Sequence, residues 1–306
     1  MELKCWGGDW GLPSLDIDCL SALTYAYFAK VPFEIIPSLP RNTITGTLPE
    51  LKQSDFIYSR AFTIIGIFRR EGYNVDYGLS EDQFANTLAY ISYIEQKLRP
   101  AILYTLWLDS ANYTKVTRPA FSKLCGFPYS LWYPSRIRHQ IEQNVVICKG
   151  SRFLPKLSDI EKILYKEAWT CMNDLEHHLG STLYFYGNSP TTFDAILYGH
   201  LGLLLKAPLS STVLQNHLHA CDKLKSFCLR MESFLPSEMS TSVKSSPLSE
   251  KEPFYKNDIV ISVGVALAAM VCYALTSGVL TERHSKLAEK LGTVRSDDLS
   301  EIDDID

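Results

Sequence analysis

Tyr186 to Lys206 reads YGNSPTTFDAILYGHLGLLLK, and the reading of this stretch decides the fold. Gly187-Asn188-Ser189-Pro190 is a run of turn-forming residues. Thr191 with Asp194 three positions on has the spacing of a capping box, in which the two side chains satisfy backbone N–H groups at a helix start. From Thr192 to Lys206 the residues are apolar nearly all round instead of along one stripe. That pattern predicts a central buried helix, packed on every side.

Working outward, the chain from residue 79 to 235 reads as helix throughout. Ser80 with Gln83 forms a second box, opening a helix that runs toward Trp107 and that Pro100 should kink or end. Ser158 with Glu161 forms a third, and its helix closes near Gly180. A last amphipathic helix covers roughly 212–234. Upstream, residues 1–78 alternate. Residues 2–6 read as a strand, 15–29 as a helix and 32–37 as a second strand. Residues 48–52 and 56–59 form a hairpin, and 60–70 a second helix. This β-α-β-β-β-α order describes a thioredoxin-like half. The expected fold class is therefore α+β followed by all-α: domain 1–78 thioredoxin-like, domain 79–235 helical.

Residues 236–258 are rich in Ser, Pro, Glu and Lys without apolar period, a flexible tether. Beyond them Ile259–Leu280 reads IVISVGVALAAMVCYALTSGVL, with no charge. As a helix these residues span roughly 33 Å at about 1.5 Å each, enough for a bilayer core of about 30 Å. Gly264 with Ala268, and Ala274 with Gly278, place small residues at helical spacing, where another helix can approach. Because the segment lies so near the end of the chain, it reads as a tail anchor inserted after translation, followed by a short acidic tail, 281–306. Moderate apolarity with basic flanks (Lys251, Lys256, Arg283, Lys286, Lys290) favours the mitochondrial outer membrane over the endoplasmic reticulum.

The net charge of −4 comes from that tail: subtracting it leaves 26 residues of each sign in residues 1–280. A neutral body offers no general attraction for a phosphate backbone, so nucleic acid is not expected as a partner. Eight scattered cysteines without a C-x-x-C pair, and no signal-peptide core at the N-terminus, predict free thiols and a cytosolic body.

A small thioredoxin-like half before an all-helical one resembles the glutathione transferase fold, in which the Thr and Asp of a string like Tyr186–Asp194 cap the core helix. Four strings are similar to the metaxin family, in particular its tail-anchored type: CWGGDWGLPS (Cys5–Ser14), GTLPEL (Gly46–Leu51), YNVDYGLS (Tyr73–Ser80) and Tyr186–Asp194 with Phe185 before it. The resemblance spans most of residues 1–235. It implies a non-enzymatic adaptor of the mitochondrial outer-membrane sorting and assembly machinery, facing the cytosol and supporting import and insertion of β-barrel proteins. The implied partners are a second metaxin without an anchor, the outer-membrane β-barrel insertase, inner-membrane contact-site proteins and the lipid bilayer. No cofactor is implied.

The alternative is a membrane-tethered glutathione transferase or glutathione-binding protein, which needs a Tyr, Ser or Cys near the first helix to stabilise a thiolate. Cys5 reads as a buried small residue and Ser14 as the N-cap of the first helix, so no catalytic residue is assigned. Pro49 resembles the proline, cis in transferases, that presents backbone to glutathione, and Ser59 resembles the serine that binds its γ-glutamyl carboxylate. Tyr58 stands where transferases usually carry an acid. His217 and Cys221 share a helical face but read as solvated polar residues, so no metal is assigned. His177-His178 fits a helix C-terminus, where the dipole favours a cation. Residues 127–134, FPYSLWYP, carry four aromatics and read as a lid on the helical core, with an exposed partner surface as the alternative.

Overall fold

Alternation sets the first strand: in β1 (Glu2–Cys5) Leu3 and Cys5 are fully buried while Glu2 and Lys4 turn outward. The computed structural model describes residues 1–148, 157–236 and 264–273. Strands β2 (Glu34–Pro37), β3 (Glu50–Gln53) and β4 (Phe56–Ser59) complete a four-stranded sheet of order β2-β1-β3-β4. β1 pairs parallel with β2 and antiparallel with β3, and β3 and β4 form the expected hairpin. Helices α1 (Ile17–Phe28) and α2 (Ala61–Arg70) finish the β-α-β-β-β-α half.

The remainder is helical: α3 (Glu81–Lys97), α4 (Arg99–Leu103), the single turn α5 (Ser110–Asn112), α6 (Arg118–Cys125), α7 (Tyr133–Cys148), α8 (Leu157–Leu179), α9 (Thr192–Lys206), α10 (Val213–Ala220) and α11 (Asp222–Glu232). Ser80 accepts from the Gln83 N–H at 3.2 Å while Gln83 reaches back to the Ser80 N–H at 3.0 Å. The chain breaks at Leu98, two residues before Pro100, and then continues instead of ending. π-helical turns at Tyr104–Leu108 and Tyr113–Thr117 follow, tied by Thr117 Oγ1 donating to the Leu106 carbonyl at 2.6 Å. The Ser158 side chain of the third box lies outside the described residues, and Glu161 accepts instead from Tyr104 Oη at 3.1 Å. The single helix expected over 212–234 is two helices that break at Cys221, whose backbone leaves the helical region.

Helix α9 is the centre, with Thr192 to Leu204 buried without exception. Its main neighbour is α1, and the two approach so closely that a Cβ on Gly199 would run into Ser21 Oγ and lie 2.8 Å from the Ile17 carbonyl. Charged groups join α1 to α3 and α4: Arg99 grips Asp18 with two N–H···O contacts of 2.6 and 3.0 Å and reaches Glu95 at 3.1 Å. These elements belong to one unit, Met1–Lys244.

In the second unit, Ser245–Asp306, residues 264–273 are helical and exposed. No helix among the described residues is long and apolar enough to cross a membrane. Of the expected span, Gly264 and Ala268 fall within the described helix, while Ile259, Ala274, Gly278 and Leu280 lie outside the described residues.

Candidate functional site

The position at which a transferase would activate a thiol is the turn from β1 into α1. Cys5, Ser14 and Cys19 are all fully buried there. The cap of α1 is Asp16, not Ser14: Asp16 accepts from the Cys19 N–H at 2.9 Å, and the Ser14 hydroxyl oxygen accepts the Asp16 N–H at 3.4 Å. Ser14 lies too far upstream to reach the free N–H groups of the first helical turn. Cys19 Sγ accepts the Trp6 N–H at 3.5 Å, and burial, reinforced by Cys5, pushes its thiol well up from the ordinary range. A thiol kept protonated and sealed from solvent is a poor nucleophile. The glycine-rich turn before it folds onto itself, since a Cβ on Gly8 would strike the Leu12 carbonyl oxygen.

The Leu48–Pro49 peptide is cis, and Pro49 is buried at the start of β3. Ser59 ends β4 directly opposite Glu50, so the two residues share one sheet face. Ser59 does not start a helix: α2 begins at Ala61 after Arg60, which sits at φ 70° and makes no side-chain cap. The Glu50 carboxylate is buried, taking the Thr45 N–H at 2.9 Å, the Thr45 hydroxyl at 3.0 Å and Lys4 Nζ at 3.3 Å. Burial raises its pKa, but the Thr45 and Lys4 contacts outweigh it and hold the group below its usual value. An incoming ligand carboxylate beside Ser59 would therefore share the sheet face with a carboxylate already paired to Lys4.

Two of the family-like strings meet in space. Asp76 accepts the Thr192 N–H at 2.9 Å and its hydroxyl at 2.6 Å, 116 positions away in sequence, and Arg69 lies 3.6 Å off. One residue earlier, Asp194 takes the Thr191 N–H at 2.8 Å, the Thr191 hydroxyl at 2.6 Å and the Phe185 N–H at 3.1 Å. Burial pushes the Asp194 carboxyl up to about 6 against these bonds. Nothing local in the sequence signals the Asp76 partnership, because its other half lies more than a hundred residues downstream.

His217 Nε2 meets Asn173 Oδ1 at 3.0 Å and Cys221 is buried. No group of three His, Cys, Asp or Glu residues among the described residues could hold a metal ion. His178 lies between Tyr90 and Phe185, and burial, aided by His177, lowers its pKa, the opposite of what a helix dipole alone would do. The aromatic loop is not a lid. Phe127 is 80 % exposed, Leu131 64 % and Trp132 45 %, while Tyr129 and Tyr133 pack half-buried against the core, Tyr133 beside Trp6.

Together the sheet, the cis proline and the central capped helix define a glutathione transferase-like fold. A glutathione S-transferase of Ceriporiopsis subvermispora aligns over 77 % of this chain and 98 % of its own at a TM-score of 0.54, with 12 % identity. Residues 168–231 match the family described as glutathione S-transferase, C-terminal domain, and residues 19–138 match Tom37, described as outer mitochondrial membrane transport complex protein. Metaxin-1 of Mus musculus is 38 % identical over 100 % of this chain and 99 % of its own length. Metaxin-3 of Danio rerio is 38 % identical over 74 % of this chain and 73 % of its own. The chain belongs to the metaxin family.

Proposed function

We propose that this protein is a tail-anchored, non-enzymatic adaptor of the mitochondrial outer-membrane sorting and assembly machinery, with residues 1–235 facing the cytosol. The observation that carries the reading is similarity to Metaxin-1 along the whole chain, with the Tom37 match beneath it. Residues 1–78 and 79–235 act as one binding body, 236–258 as the tether, and 259–280 as the membrane helix ahead of the acidic tail. The uncharged composition of 259–280 and the exposed helix at 264–273 support that last assignment. The partners are a second metaxin without an anchor, the β-barrel insertase and contact-site proteins of the inner membrane. The buried Cys5 and Ser14, and the Glu50 carboxylate on the Ser59 face, argue for binding without turnover.

Affinity purification from mild detergent tests the assignment: co-purification of a second metaxin with the insertase is expected. Conjugation of an electrophile to glutathione by the purified protein would overturn it. Deleting residues 259–306 is expected to release the body to the cytosol.

A further inference from the structure

From Ser110 to Ile141 the chain carries five basic residues, Lys115, Arg118, Lys123, Arg136 and Arg138, and no acidic one. This is a local excess inside a body that is neutral overall. The exposed aromatic loop lies in the middle of it, between α6 and α7.

The loop is held, not frayed. The Ser130 N–H donates to the Gly126 carbonyl at 2.8 Å, and Ser122 Oγ donates to the Ser130 carbonyl at 3.2 Å. The Arg41 guanidinium lies over the Tyr129 ring at 3.8 Å, and Trp132 packs edge-on against Tyr133. On this platform Phe127, Leu131 and Trp132 point their apolar surface into water. Lys123 and Arg136, both exposed, flank the loop on its two sides. Among the described residues the carboxylate that contacts either is Asp9, 3.5 Å from Lys123 and itself partly exposed.

Exposed apolar clusters mark either protein or membrane contacts. The charge pattern decides between them here. Trp settles at the level of lipid headgroups, Phe and Leu enter the headgroup–acyl boundary beside it, and nearby cations are drawn to anionic headgroups. We propose that residues 123–136 dock onto an anionic lipid surface, with Phe127, Leu131 and Trp132 entering the headgroup–acyl boundary and Lys123 and Arg136 meeting lipid phosphates. The reading above supplies the nearby bilayer; the loop supplies a second, independent contact with it.

The test uses the full chain reconstituted with vesicles of phosphatidylcholine, alone or mixed with anionic phosphatidylglycerol, carrying acyl chains brominated to quench tryptophan. Flotation reads membrane attachment and quenching reads loop insertion. Stronger quenching in anionic vesicles is expected, lost in W132F and reduced to the phosphatidylcholine level in K123E/R136E. Each cation removed should weaken the loop–lipid association by about fivefold. A chain that floats while quenching is unchanged by lipid charge, or by W132F, overturns the loop proposal and leaves the anchor intact. So does a loop protected only when a protein partner is added. Flotation that needs anionic lipid and is abolished by K123E/R136E upholds the loop contact and overturns the anchor. A chain that floats in neither composition overturns both.

Discussion

Gly199 has no room for a methyl group. Its helix passes α1 so closely that a Cβ would meet a hydroxyl and a backbone carbonyl. G199A is expected to cost about 2–3 kcal/mol through overpacking, read as a lower urea midpoint. S21A in the same chain should restore only part of this, because the Ile17 carbonyl cannot be trimmed away. Glu95 is a different kind of residue. Burial raises its pKa, but His200 and Arg99 outweigh that and bring it down to about 2. A carboxyl whose folded pKa is depressed stabilises above its unfolded value of 4.5 and loses that contribution as pH falls through the folded one. Wild type should therefore lose stability between about pH 4.5 and 2 more steeply than E95Q. Its side chain is 38 % exposed, so solvent screening keeps the difference modest. Asp16, raised to about 6 by burial and the neighbouring Asp18, acts with the opposite sign at higher pH, and comparing the two proteins cancels it. Urea midpoints across this range check the prediction.

The helices differ in how much of their ends is local. The α3 cap is entirely so, made by Ser80 and Gln83 alone. S80A is expected to cost about 1 kcal/mol and to raise hydrogen exchange in the first turn of α3 while leaving α9 protected. The α9 start is not local, since Asp76 from the loop after α2 takes its first N–H. The two π-helical turns likewise depend on distant groups. Asn112 binds the Thr105 and Ser211 carbonyls, both at 3.0 Å, and accepts the Ser210 and Ser211 N–H groups at 2.8 Å. Such wide turns carry no periodic signature, and none is readable from Tyr104 to Thr117. The break at Cys221 is equally hidden, because one apolar stripe runs across both α10 and α11.

At the scale of the whole molecule, the core of the thioredoxin-like half is continuous with that around α9. Leu20, Leu23 and Tyr25 of α1 belong to the same buried cluster as Phe193, Leu197 and Leu201. Residues 1–235 should therefore unfold in one transition, with near-ultraviolet and far-ultraviolet signals coincident. D76A should lower the stability by about 3–6 kcal/mol, two hydrogen bonds to a charged group at about 1.5–3 kcal/mol each being lost. It should not separate the two signals. Distinct transitions for the two halves would contradict this.

The sequence by itself determined the element order of residues 1–78, the hairpin, the Ser80 box and the buried character of α9. Each depends on near neighbours and on hydrophobic period, which a single chain displays directly. It also displayed the uncharged stretch at 259–280 and the strings that mark the family. Only the tertiary structure decided that Asp16 and not Ser14 caps α1, that Asp76 completes the start of α9, and that Glu50 lies on the face of Ser59. It also turned the aromatic loop from an expected lid into an exposed platform. The Asp16 cap and the Ser59 face are local outcomes, set by where the first turn of α1 begins and by the hairpin register. For the Asp76 partnership and the exposed loop the physical reason is shared. Burial and pairing between distant residues depend on which surfaces meet, and composition and spacing do not encode that contact.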